Sequence, residues 1–450
     1  MIIRRIAVLL SIAASARAQQ PDPPASDSGT ERWNLFYQAT SIGQYHGTFH
    51  APYSGPLSLD DTPERDVSLT TTLFFGLRLL PNTILYFDPE IAGGKGFSNV
   101  NGLGNPSNGE IPRVSSPTPT PYIARLYISQ DFGFGSEKEH FESDENQLGG
   151  DRPMKRYSVY LGRFTVTDFF DNNAYTHDPR TQFMAWGVMY NGAWDYPADV
   201  RGYTWGIVNE FHTRNWSFRF GYAAEPRVAN GSQFDRRILV NHGDTYEVER
   251  RYTIRARPGA IRLLGYDNHA DAGTYAEAIK LADKNGGTPD VTATRKNGTL
   301  KYGFGINLEQ ALSPDVGIFT RLGWNDGKTE SFAFTAIDRL ASAGIAWKGN
   351  RWHRKDDVVG TSFSAAGVSG VHASYLAQGG LDFLIGDGKL NYAPEYLWES
   401  YYSAHVYRGF FVTVDGQHYN NPAYNHDRGP VWVGSIRLHL EFGLKPLQFK

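Results

Sequence analysis

The sequence predicts an all-β chain: a transmembrane antiparallel β-barrel of about 16 strands with inward-folded loops, enough strands to leave an aqueous channel. Three observations carry the prediction. Stretches along the whole chain alternate apolar and polar residues with a period of two. The N-terminus has the layout of an export signal. No stretch reaches the roughly 18 consecutive apolar residues that a spanning helix needs.

The alternation is clearest from Leu69 to Leu80. Leu69, Thr71, Leu73, Phe75, Leu77 and Leu79 share one face, and Thr70, Thr72, Phe74, Gly76 and Arg78 share the other. The same period recurs around Trp216 to Tyr222, Tyr302 to Leu308 and Trp432 to Phe442. One apolar face at a spacing of two is the signature of a strand. A soluble β-sandwich alternates too. The opposing face here is charged and Gly-rich, as a water-filled lumen requires. Aromatic residues also gather at strand ends (Trp33, Tyr37, Tyr401, Tyr402, Trp432), as the girdles at membrane interfaces do. Both features favour the membrane barrel.

The first residues read as a signal peptide. Arg4 and Arg5 precede an apolar run from Ile6 to Ala14, and Ala16-Arg17-Ala18 supplies small residues for cleavage after Ala18. Residues 1–18 are therefore expected to be removed. Residues 19–32, rich in Pro, form a flexible start, and residues 33–450 form a single barrel domain. Mean hydropathy is −0.44, which excludes a bundle of membrane helices but not a barrel, since only every second residue meets lipid. Aromatics make up 14% of the chain, a composition that favours strands. There are no cysteines, so an exported chain must be held by its core or by closure of its sheet. The net charge of −3 gives no reason to expect nucleic acid as a partner.

Candidate strands fall near 33–42, 69–80, 83–90, 121–131, 156–166, 202–211, 214–224, 246–256, 259–267, 300–310, 315–324, 330–338, 371–384, 389–401, 405–415 and 431–442. Short turns at Pro81-Asn82 and Thr213 alternate with long segments at 91–120, 132–155, 167–201, 270–299 and 339–370. Short turns on one side and long loops on the other are the barrel asymmetry. Two loops, Gly93 to Asn108 and Asp168 to Arg201, could fold inward and narrow the lumen, or remain as solvated outer loops.

Catalytic and metal signals are poor. Carboxylates are too plentiful for any pair to be diagnostic. His46 and His50 stand four apart in a strand-like region, where that spacing does not converge on a metal. No phosphate-binding loop or nucleophile elbow is present. Neither a cofactor nor a metal is expected. The constellation that remains suits sugar contact. Alternation points Arg78, Glu90 and Arg125 into the lumen, with Tyr86, Asp88, Tyr127 and Asp131. Guanidinium and carboxylate groups hydrogen-bond sugar hydroxyls. Trp194 and Tyr196 offer rings to stack on a pyranose. Each charge is equally consistent with a structural salt bridge across the wall.

Longer motifs carry a resemblance. They include SLTTTL (68–73), YFDPE (86–90) with its Gly-rich loop, NGE (108–110) and DFFDNNAYTHDPRTQF (168–183). NGAWDYPAD (191–199), RGYTW (201–205), KYGFG (301–305) and RLGWNDG (321–327) follow, then YAPE (392–395), NPAYN (421–425) and DRGP (427–430). From Trp33 to about Phe442 the chain resembles the carbohydrate-selective outer-membrane porins of the OprB-like group. The resemblance implies a barrel of sixteen strands in the bacterial outer membrane, placed in lipid by the barrel-assembly machinery. It implies passive passage of glucose-type sugars through a charged, arginine-bearing constriction, with no enzymatic activity. On that basis the candidate constriction residues are Arg78, Glu90, Arg113, Arg125, Asp171, Asn172, Arg180 and Trp194. A general small-solute porin and a barrel enzyme acting on glycans or lipids are the alternatives.

Overall fold

In a computed structural model, which describes residues 30–110, 117–333 and 335–444, sixteen antiparallel strands close into a barrel. The strands are β1 (Trp33–His46), β2 (Glu64–Leu80), β3 (Thr83–Gly94), β4 (Thr120–Gly133), β7 (Arg156–Phe164), β8 (Thr204–His212), β9 (Trp216–Ala224), β10 (His242–Ile254) and β11 (Arg257–Ala272). They continue with β12 (Lys296–Ala311), β13 (Val316–Asn325), β14 (Arg339–Gly349), β15 (Arg354–Gly367), β16 (Glu395–Tyr407), β17 (Phe410–Asn420) and β18 (Val431–Leu444). Each pairs with its sequence neighbour, and β1 pairs with β18, Leu35 opposite Leu444, so no edge is left open. A small separate hairpin, β5 (Lys138–Phe141) with β6 (Gly150–Pro153), lies between β4 and β7. Among the described residues the α-helices lie in loops: α1 (Trp186–Met189), α2 (Tyr275–Asn285) and α3 (Gly370–Ala377). Among the described residues no helix is long and apolar enough to cross a membrane.

The pleat sorts the residues as the alternation predicts. On β2, Ser68, Thr70, Thr72 and Phe74 are buried inside, while Val67 and Leu73 are exposed. Exposed Leu161, Leu263, Phe304, Phe363, Val414 and Ile436 continue the apolar outer belt. Trp432 and Tyr402 stand in that outer face, whereas Tyr401 points inward and is buried.

Several expectations need correction. The predicted strands 330–338 and 371–384 are not strands. The first is loop, in which the backbone N–H groups of Phe332 and Ala333 donate to the Asp195 carboxylate. The second contains α3, capped by Ser369, whose hydroxyl accepts from the His372 N–H at 3.2 Å. Residues 339–367, expected as loop, form β14 and β15. Their faces carry Ala, Ser and Gly, so the contrast between sides is too weak to read. Two missed strands offset two false ones, which is why the count still came to sixteen. β16 and β17 begin a few residues later than expected. The segment 132–155, grouped with the long loops, lies at the opposite end of the barrel, among the short turns 81–82, 213–215, 255–256, 312–315, 350–353 and 408–409. The signal peptide and the tail beyond Leu444 lie outside the described residues. Of segment 19–32, residues 30–32 are described: Glu31 N–H donates to Gly149 O at 3.0 Å, and Arg32 O accepts from Arg78 N–H at 2.7 Å.

Candidate constriction and solute chamber

Two long loops fill much of the lumen, which explains a composition unsuited to either lipid or open water. Loop 165–203 buries Phe170, Phe183, Trp186, Val188, Met189, Trp194 and Tyr196 against the inner wall. Residues 95–110 meet it: Gly109 N–H donates to Met184 O at 2.8 Å and Gly187 N–H to the side-chain Oδ1 of Asn105 at 2.7 Å.

A buried loop must find partners for its backbone groups. The wall's charged residues supply them. Arg321 on β13 is fully buried and donates to Val188 O (2.8 Å), Thr176 O (2.8 Å) and Asp171 O (3.1 Å). Its Nε forms an ion pair with the Asp171 carboxylate at 2.9 Å. Arg437 on β18 donates to Pro179 O and Gln182 O at 2.8 and 2.7 Å. Carboxylates serve the N–H groups: Glu399 accepts from Met184 and Ala185, Glu247 from Asp171, and Glu395 from Gly104 and Asn105. Hydrogen bonds to charged groups contribute roughly 1.5–3 kcal/mol each. Inward-facing glycines make room for the loop. A Cβ at Gly305 would lie 2.2 Å from Asn191 Nδ2, and one at Gly323 2.0 Å from Asn191 Oδ1. Much of the charged, Gly-rich inner face therefore anchors loops rather than meeting water.

An open chamber of about 470 Å³ lies on the β2–β4 and β7–β9 side of the lumen. Arg180 of loop 165–203 lies in its wall, between Glu90 Oε2 at 3.0 Å and Glu110 Oε1 at 3.3 Å. Thr72 Oγ1 and the Tyr122 hydroxyl donate to Glu90, and Thr70 Oγ1 to Glu110. Arg125 presents its fork to Asp168 at 2.7 and 2.6 Å and also reaches Asp88 at 3.3 Å. A register shift between Asp88 and Pro89, opposite Arg125 and Ile123, lets β4 turn both Tyr122 and Arg125 inward. Beside Arg125 the wall carries Tyr127, Tyr160 and Phe169, with Phe169 4.6 Å from the Tyr160 ring and 6.2 Å from Tyr127.

The loop groups have defined charges. Burial disfavours the Arg180 cation, but Glu110, Glu90 and Asp178 outweigh it and hold its pKa well above the usual range. Burial raises the Asp178 carboxyl, yet Arg180 and its backbone N–H hold it below the ordinary value. Burial pushes His177 down to about 4, leaving a neutral ring. The chamber thus offers fixed guanidinium donors, carboxylate acceptors and one aromatic flank. Such a set can exchange a polyol's hydration shell for protein groups.

Of the predicted residues, Arg125, Asn172 and Arg180 line the chamber, and Glu90 lies directly behind Arg180. The structure does not bring Arg78, Asp171 or Trp194 into the chamber wall. Arg78 faces inward as expected, but at the short-turn mouth, donating to Glu31 O and Pro81 O at 2.9 and 3.0 Å. Asp171 is buried as a loop staple, bonded to Asn191 N–H and Asn307 Nδ2. Trp194 packs beneath the loop against Phe170 and Tyr196, so the expected stacking rings are core, and the rings that line the chamber come from elsewhere, among them Tyr127, Tyr160, Phe169, Tyr190 and Tyr203. Arg113 lies outside the described residues. Sequence reasoning missed Glu145, Asn146, Arg152 and Asp178. The DFFDNNAYTHDPR motif held the signal for Asp178, but nothing local marked the first three.

The carbohydrate-selective porin family, OprB, matches residues 76–442. No curated protein sequence matches the chain. Among solved structures, OprB of Pseudomonas putida at high pH is similar over 92% of this chain and 95% of its own, with TM-score 0.67 and 16% identity. Salmonella typhi OmpF in complex with daunomycin is similar over 93% and 99%, with TM-score 0.49 and 8% identity. The DcaP channel of Acinetobacter baumannii covers 93% and 99%, with TM-score 0.47 and 8% identity. With the family matched over most of its length, this chain, a closed barrel of sixteen strands around a charged inner chamber, belongs to the carbohydrate-selective porins of the OprB family.

Proposed function

We propose that glucose-sized sugars diffuse passively through this barrel in the bacterial outer membrane, making contact with Arg125, Arg180 and Asn172 in the chamber. The observation that carries the reading is the mixed chamber itself. Two arginine forks, with Glu90 and Asp168 beside them, share a space of about 470 Å³ with a cluster of aromatic rings. Small-molecule sites typically measure roughly 300–1,000 Å³. Paired charges of both signs disfavour permeant ions while offering neutral polyols replacement hydrogen bonds. On this reading residues 1–18 direct export and are removed. The outer apolar belt contacts lipid after insertion by the barrel-assembly machinery, and the protein works as a channel rather than an enzyme. Liposome swelling with a panel of mono- and disaccharides, together with sugar block of ion current in planar bilayers, tests it. Glucose should permeate and reduce the current. Swelling rates that follow solute size alone, with no block by glucose, would favour a general porin.

A further inference from the structure

Six of the connections at the short-turn end are tight. The seventh, residues 134–155, is long and turns back into the barrel. Its tip is a tight turn in which Asp144 and Gln147 exchange backbone hydrogen bonds at 2.9 and 3.1 Å, with Asn146 at φ 54°. Several contacts hold the tip inside. Asn34 Nδ2 on β1 donates to Ser143 Oγ (3.1 Å), Asp144 O (3.2 Å) and Gln147 O (2.8 Å). Gly149 N–H donates to the Glu31 carboxylate at 2.8 Å. Leu148 is 2% exposed and joins the cluster of Ile84, Tyr86 and Tyr127 on the inner wall. Asn146 Nδ2 reaches Asp88 at 3.0 Å, the carboxylate that also receives Arg125. Arg152, at the base, forks onto Asp131 at 2.7 and 2.9 Å.

The turn therefore sits in the chamber wall, which it shares with loop 165–203. Glu145 and Asn146 line the same space as Arg125, Asn172, Asp178 and Arg180. This placement is specific. Reaching the lumen costs the turn its solvent, and the Asn34, Glu31 and Asn146 bonds compensate its buried polar groups. A segment that served only to connect β4 to β7 would need a few residues, as the other short turns do.

We infer that the Asp144–Gln147 turn is the second jaw of the sugar constriction, and that Glu145 and Asn146 contact the solute and set its size limit. The inference rests on the sugar-pore reading above. A sugar held by Arg125 and Arg180 on the outer side meets the Glu145 carboxyl on the other. A second sugar ring would run into the turn, so monosaccharides should be preferred over disaccharides.

The chain has no cysteine, so Glu145→Cys creates a unique thiol. In planar bilayers, a bulky, charged methanethiosulfonate reagent should at least halve the conductance of this variant, and glucose should slow the modification several-fold. Lys138→Cys, on the exposed β5 strand of the hairpin, should be labelled without change in current and without glucose protection. Glu145→Ala supplies an independent readout: maltose swelling relative to glucose should rise at least severalfold. An unchanged sugar ratio in Glu145→Ala, or labelling of Glu145→Cys that leaves conductance untouched, overturns the inference. Wild-type protein in the same swelling assay separates the two ideas. If wild type excludes glucose the sugar-pore reading fails, and if it admits glucose while these variants behave as wild type only the second jaw fails.

Discussion

Replacing Arg321 with Met removes a buried guanidinium while keeping an apolar stem of similar length. Three loop carbonyls lose their donor: Val188 O and Thr176 O at 2.8 Å and Asp171 O at 3.1 Å. The Asp171 carboxylate loses its ion pair at 2.9 Å, retaining only Asn307 Nδ2 at 2.7 Å and Asn191 N–H at 2.8 Å. Breaking a buried pair by removing one partner costs about 3–5 kcal/mol. Since about 1.4 kcal/mol is tenfold in an equilibrium, local opening of residues 171–190 should become roughly a hundredfold or more easier. The strand ladder is untouched, because β13 bonds its neighbours through backbone, Arg321 opposite Asn307 and Ser342. The barrel should therefore keep its heat-dependent gel shift. Single-channel recordings should show larger, noisier conductance, and disaccharide swelling should rise relative to glucose. Arg321→Lys, which keeps the charge but not the planar fork, should fall between the two. If a folded Arg321→Met barrel shows wild-type conductance and the wild-type sugar ratio, the inner-wall arginines do not hold the loop in place.

Other consequences can be measured with the same preparations. Glu90→Ala removes one of the two carboxylates paired with Arg180 and takes the acceptor of the Thr72 and Tyr122 hydroxyls, so glucose block should weaken without loss of folding. Arg78→Ala should leave glucose block unchanged, since its guanidinium is bound to backbone at the short-turn mouth. A clear loss of block would place it in the solute path after all. Leu73, exposed mid-strand on β2, should tolerate Arg poorly, losing roughly 2–4 kcal/mol in urea unfolding if it lies near the bilayer centre. In the outer loops, His372 lies between Asp338 at 3.1 Å and Asp382 at 3.3 Å and stacks on Tyr275. Burial lowers its pKa, but the two carboxylates outweigh that and raise it from 6.5 to about 9. The stabilisation is complete below about pH 6.5 and is lost as pH rises through about 9. Limited proteolysis of segments 273–295 and 368–394, normalised to an unfolded substrate, should accelerate between about pH 7 and pH 10 and lose that dependence in His372→Gln. Equal cleavage of wild type at both pH values would show that the latch does not hold these loops.

Strand parity was legible from residue order because every second side chain of a strand must meet the same solvent. That is why the inward face of Thr70, Thr72, Asp88, Glu90 and Arg125 follows from the sequence alone. The wall hairpin of β14 and β15 escaped for the converse reason. Its Ala, Ser and Gly faces differ too little in hydropathy to mark a side. The DFFDNNAYTHDPR motif marked loop 165–203 as special without saying why. Its buried aromatics and the arginines that hold it, Arg321 and Arg437, are far apart in sequence and meet only across the lumen.

The sequence by itself determined the barrel, the direction its side chains face and the residue types available for sugar contact. All of these follow from local periodicity and composition. Only the tertiary structure decided which charges face the chamber and which serve as staples, because that depends on where a loop lies against the opposite wall. Arg180 and Asp171 stand in one motif, yet the first faces the chamber between Glu90 and Glu110 while the second is consumed by Arg321 and Asn307. Glu145, from a segment that looked like an ordinary outer loop, reaches the same chamber from the other end. The difference lies in contacts between residues far apart in the chain, such as Arg180 with Glu90 and Asn34 with Gln147, which no local pattern encodes.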